Sequence, residues 1–174
     1  MKKFFTTIAV ALVAVSCAWA QKTEITVGYG GYTQQDAMDM HDGWGGVNTA
    51  WGALTAGVNF QVSPKIWIGP SYTFSSATVG HGPHHSNVAY HSVMLNGRMQ
   101  YYRRGDFKMY AKVGLGVDIT HLMPKYGDSY NKCYVAFQVT PIGAEYTIAN
   151  GIALYGELGF GAQGLAQVGV KFKL

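Results

Sequence analysis

The feature that most constrains this chain is a strict alternation of apolar and polar residues, clearest between Phe107 and Thr120. There Phe107, Met109, Ala111, Val113, Leu115, Val117 and Ile119 oppose Lys108, Tyr110, Lys112, Gly114, Gly116, Asp118 and Thr120. A period of two places the sets on opposite faces of an extended strand. A strand of this length with seven apolar residues on one face is unusual for a soluble sandwich.

The same alternation recurs along the chain and predicts eight strands of similar length. The first covers about 22–32, with Ile25, Val27 and Tyr29 opposing Glu24, Thr26, Gly28 and Gly30. The second and third cover about 49–60 and 65–75, joined at Ser63-Pro64. The fourth, about 88–102, carries Val93, Leu95, Met99 and Tyr101 against Asn96, Arg98 and Gln100. Asn96-Gly97 has the composition of a hairpin turn, but a break there would leave two fragments too short to cross a membrane. The sixth, about 133–148, changes phase at Pro141, which implies a β-bulge, where proline is tolerated. Asn150-Gly151 then marks a hairpin into the seventh strand, and Gly161 to Gly164 a turn into the eighth. Ala166, Val168, Val170, Phe172 and Leu174 still alternate to the end of the sequence. That last strand needs a partner, and pairing with the first would close a barrel.

Between the strands, long connections at 33–48, 76–87 and 121–132 alternate with short turns. Charged residues are only 13% of the chain, against roughly 25% in an ordinary soluble domain. Aromatic residues make up 14% and there are 23 glycines. Low charge with apolar, aromatic strand faces fits an outer surface that meets lipid.

The beginning of the sequence has the pattern of a secretory signal peptide. Lys2 and Lys3 precede an apolar run over 4–15, and Ala18-Trp19-Ala20 matches a cleavage site. Residues 1–20 are therefore expected to be removed, leaving a single domain over 21–174. A lipoprotein reading with Cys17 as the modified residue is the alternative. Cys133 would then be the sole remaining cysteine, so no internal disulfide is expected. Without Lys2 and Lys3, eleven basic residues face nine acidic ones. The basic residues are scattered, which is no pattern for nucleic-acid binding.

Taken together, signal peptide, strand count and loop asymmetry resemble the small eight-stranded outer-membrane β-barrels, the class of OmpX and the OmpA transmembrane domain. Gln167, Gly169, Phe172 and Leu174 resemble the C-terminal assembly signal of that class, although many members end in Phe. The resemblance implies an all-β, antiparallel, up-and-down transmembrane barrel located in the outer membrane. It also implies outer-membrane lipid, lipopolysaccharide and the barrel-assembly machinery as partners, and three loops exposed outside the cell to an external ligand.

An eight-stranded barrel has room inside only for side chains. The inward polar set is Glu24, Arg98, Lys108, Lys112, Asp118, Glu145, Glu157 and Lys171. Opposite charges in it are expected to pair, Glu24 with Lys171 in particular, because an unpaired charge there would cost several kcal/mol. No cofactor is implied and no catalytic set is assigned.

Four other readings compete. The charged interior could pass ions. His81, His84 and His85 could offer imidazoles to a zinc or copper ion. His84-His85-Ser86-Asn87 is similar to a stretch of the lipid A deacylases, with His as base and Ser as nucleophile. It lies mid-chain, however, and the next acid is Asp106, at the far end of the barrel. Lastly, a soluble lipocalin-like barrel would turn the apolar faces inward.

Overall fold

In the computed structural model the described residues are 22–34, 36, 47–79, 86–123 and 130–174. They form eight strands: β1 (Thr23–Gly31), β2 (Val47–Ser63), β3 (Ile66–Val79), β4 (Ser86–Arg104), β5 (Phe107–Met123), β6 (Tyr130–Ala149), β7 (Ile152–Gly161) and β8 (Ala166–Lys173). Each strand pairs with the next in a closed antiparallel barrel. The barrel closes where β8 returns to β1, with Glu24 opposite Lys173, Val27 opposite Val170 and Gly31 opposite Ala166. Closure leaves no free sheet edge along the seam.

The alternation sorts the side chains as the sequence predicts, with the apolar set outside. Leu115 and Val168 are each 65% exposed, whereas Glu24 and Lys171 are each 1% exposed. A lipocalin-like arrangement, with an apolar interior, is therefore not the one adopted. The outward band is exposed apolar surface all round the barrel, from Val27 on β1 through Leu54, Tyr72, Leu95, Val113, Val135 and Leu158 to Val168 on β8. Phe60 shares that parity but is nearly covered. β4 runs unbroken through Asn96-Gly97.

Bulges adjust the phase where the sequence slips. Tyr110 pairs with Gly143 and Lys112 with Thr140, so β6 carries one extra residue at Pro141-Ile142. Among the other bulges, one that was not foreseen lies on β4. Gln100 pairs with Tyr110 and Tyr102 with Met109, which brings Tyr101 and Tyr102 onto the outer face together.

At the end that holds Lys22 and Leu174, neighbouring turns are stitched by backbone hydrogen bonds. Gln61 N donates to Lys22 O (2.9 Å), Gln100 N to Lys65 O (2.8 Å), Thr147 N to Asp106 O (3.1 Å) and Leu174 N to Thr23 O (2.9 Å). The opposite end, which carries the long connections, is uneven. β2 to β6 contain 14–20 residues each, but β1, β7 and β8 only 9, 10 and 8. The strands thus extend into the segments expected to be loops, adding 47–48, 76–79, 86–87, 121–123 and 130–132. A ladder can continue on backbone hydrogen bonds alone, without the apolar pattern that marks the band.

Candidate functional site

Among the described residues, ionisable side chains gather in the barrel interior. Its centre is a connected set of charges carried by five strands. Glu24 of β1 accepts two hydrogen bonds from Arg98 of β4, at 2.6 and 3.0 Å, in a bidentate pair. Glu145 of β6 is surrounded by four cations: Lys173 at 2.6 Å, Lys171 at 3.1 Å, Lys108 at 3.4 Å and Arg98 at 3.9 Å. Glu24 and Lys171 lie 3.9 Å apart, which joins the two carboxylates into one network. Glu157 of β7 takes its cation from Lys112 of β5 and a 2.7 Å hydrogen bond from the Tyr110 hydroxyl.

Aromatic rings brace these charges. The Arg98 guanidinium stands 4.9 Å from the Trp67 ring centroid and 5.1 Å from that of Tyr110. Lys171 Nζ lies 4.0 Å from the Tyr110 centroid and 4.8 Å from that of Tyr155. Such contacts are worth about 2 kcal/mol or more where water is excluded. The Tyr110 ring can lie there because Gly143 is beneath it: a Cβ at 143 would come within 2.3 Å of the ring.

Asp118 departs from the expectation of paired charges. It is fully buried, but its carboxylate takes hydroxyl donors, Ser92 at 2.5 Å and Thr120 at 2.9 Å. No cation pairs with it among the described residues. Its position explains this. It lies toward the loop end of β5, with Ser92 and Tyr134 as its ladder neighbours, while the inward basic residues cluster toward the opposite end.

Above the charges the interior is closed by side-chain amides that the alternation did not single out. The turn between β7 and β8 folds inward, with Ala162, Gln163 and Gly164 buried. Gly161 and Gly164 have φ of 141° and 100°, a conformation that L side chains rarely adopt. Gln163 reaches Lys112 (2.6 Å) and Ser71 (3.1 Å), and its backbone N–H donates to Gln138 (2.9 Å). From the other side, Tyr32, at φ 53°, turns Thr33 and Gln34 over the mouth. The Gln34 amide donates to Val135 O (3.0 Å) and accepts from Phe137 N (3.2 Å). It thereby pairs with β6 beyond the point where β7 stops, an edge whose backbone groups need partners. A cavity of about 30 Å³ remains in the interior, lined by Arg98, Lys112, Glu157 and Gln167 among others, room for one or two water molecules.

The C-terminal residues are split between the two faces. Gln167 is buried inside and Gly169 sits opposite Gly28, while Phe172 and Leu174 point outward. Cys133 is an exposed strand residue paired with Ile119. His81, His84 and His85 lie outside the described residues, as do 1–20 and most of the first loop. Among the described residues no three His, Cys, Asp or Glu side chains converge as a metal site would require. Of the described histidines, His91 meets the Tyr72 hydroxyl at 2.6 Å and His121 bonds Asn131.

No protein-family model and no curated protein matches the sequence. Solved structures do match in shape. The N-terminal β-barrel domain of Pseudomonas aeruginosa OprF is 12% identical, with a TM-score of 0.56 over 89% of this chain and 98% of that one. A de novo designed transmembrane β-barrel is 15% identical, with a TM-score of 0.54 over 89% and 97%. Ail, the attachment invasion locus protein of Yersinia pestis, solved with the heparin analogue sucrose octasulfate, is 9% identical, with a TM-score of 0.51 over 88% and 97%. The chain has the closed antiparallel fold of the small eight-stranded outer-membrane β-barrels.

Proposed function

We propose that the chain is an integral outer-membrane protein without enzymatic activity, whose barrel is a closed scaffold for the segments at its loop end. The observation that carries this reading is the inverted sorting of side chains: a continuous apolar exterior around an interior of paired charges. Water on the outside would make such a surface an aggregation liability, whereas lipid makes it the stable arrangement. The interior charges among the described residues are engaged with one another, with amides and, at Asp118, with hydroxyls, which supports a role in holding the strands together over one in conducting ions. Steady conductance steps in a planar bilayer would favour the channel reading instead.

In this reading residues 1–20 direct export and are removed, and Gln167, Gly169, Phe172 and Leu174 are presented to the barrel-assembly machinery. The loop end then faces outward from the cell, where loops on a rigid frame can meet lipopolysaccharide or an external ligand. An epitope inserted within 124–129 is expected to bind antibody on intact cells, with the protein banding at outer-membrane density. Binding only after cell lysis would contradict it.

A further inference from the structure

The end of the barrel opposite the loops carries a feature that neither lumen nor loops explain. Its exposed charges are almost all basic. Lys22, Lys65, Arg103 and Arg104 are exposed, and the half-buried Lys108 and Lys173 lie at the same rim, against Asp106 as the acidic side chain there. None of Lys22, Lys65, Arg103 and Arg104 forms an ion pair among the described residues. The carboxylates that could have balanced them, Glu24, Glu145 and Glu157, are buried and already engaged.

On one arc of this rim the basic residues meet an aromatic cluster. The β4 bulge turns both Tyr101 and Tyr102 outward, where they are 47% and 43% exposed. Tyr102 packs edge-on against Phe107, centroids 6.3 Å apart. Phe107 is paired in register with Tyr146 on β6 and with Arg104 on β4, so Arg104 shares the outer face with the rings. Lys65 lies in the neighbouring turn, where its carbonyl accepts the N–H of Gln100, the residue before Tyr101. Directly toward the barrel centre the same face becomes purely apolar, with Met99 and Val113. This is the depth at which amphipathic rings settle at a membrane interface, just where acyl chains give way to phosphates.

We propose that Tyr101, Tyr102, Arg104, Phe107, Tyr146 and Lys65 form a binding site for the headgroup of an anionic phospholipid. The rings would pack on the glycerol and upper acyl region, while Arg104 and Lys65 contact the phosphate. Guanidinium suits this role, because its planar fork can donate two hydrogen bonds to phosphate oxygens. The proposal rests on the membrane reading above and adds a preference among lipids to it.

The test uses the full mature chain refolded in detergent with an equimolar mixture of phosphatidylglycerol and phosphatidylethanolamine. Native mass spectrometry then counts the lipids that stay bound. Phosphatidylglycerol is expected to be retained about fivefold over phosphatidylethanolamine, the effect of roughly one basic residue at a membrane surface. Arg104→Gln with Lys65→Gln is expected to abolish the preference, and Tyr102→Ala to reduce retention of both lipids. Equal retention by the unaltered barrel, or a preference unchanged in the Arg104→Gln, Lys65→Gln variant, would overturn the site. Each sample is also run boiled and unboiled on a cold gel. A folded-barrel shift with equal retention overturns this proposal alone, and absence of the shift overturns the membrane reading and this proposal with it.

Discussion

Replacing Glu145 with glutamine is expected to lower the unfolding free energy of the barrel by about 3–5 kcal/mol. The side chain keeps its shape but loses its charge. Lys171 and Arg98, both buried, would then share Glu24 alone, with Lys108 and Lys173 close by. A buried pair is seldom a large net stabiliser against an apolar substitute, but removing one partner leaves an uncompensated charge in a poor solvent. That asymmetry gives the prediction its control. Adding Lys171→Met to Glu145→Gln removes the most deeply buried cation and is expected to restore a large part of the loss. Lys108→Gln, at the better hydrated rim, is expected to cost less than about 1 kcal/mol. Urea titrations of the barrel refolded in lipid vesicles, read from the folded and unfolded gel bands, give all three values. A loss below about 1 kcal/mol for Glu145→Gln would mean that the four cations do not depend on it.

The second large effect is on the outside. Leu115→Arg is expected to destabilise the bilayer-inserted barrel by about 2–4 kcal/mol. Leu115 lies in register with Leu95 and Phe137, well inside the apolar set that runs from Phe107 to Ile119 on β5. Ile119→Arg, near the band's loop-side edge, is expected to cost about 0–1 kcal/mol, because arginine there can reach the interface. The gradient between the two positions distinguishes lipid from water. A water-facing barrel would register either change within about 0.5 kcal/mol. Vesicle unfolding of both variants is the measurement, and equal small losses would contradict a lipid-facing band.

What the sequence disclosed follows from what periodicity encodes. Alternation through Phe107–Ile119 identifies the face of every residue, and the phase slip around Pro141 locates a bulge, because both are local properties of one strand. Asn150-Gly151 marks its turn for the same reason. Height along the barrel is not encoded this way, so the strands beyond the apolar band, such as 121–123 and 130–132, read as loop. Nor could local pattern show that the Gly161–Leu165 turn folds inward. That direction depends on Gln163 finding Lys112, Ser71 and Gln138, residues 25 to 92 positions away. Gln34 was silent for the same reason, since its partner is a β6 backbone edge left bare by the shortness of β7. Asp118 shows the limit of charge counting: its inward parity was legible, but the hydroxyls that satisfy it come from β4 and from its own strand.

Insertion of this closed barrel in the outer membrane, apolar faces outward, is tested most directly by running the detergent-extracted outer-membrane fraction on a cold SDS gel, boiled against unboiled. The expected result is a band in that fraction whose migration changes on boiling, since a closed hydrogen-bonded barrel resists SDS until heated. A protein found free in the periplasmic extract, with one migration under both conditions, would contradict it.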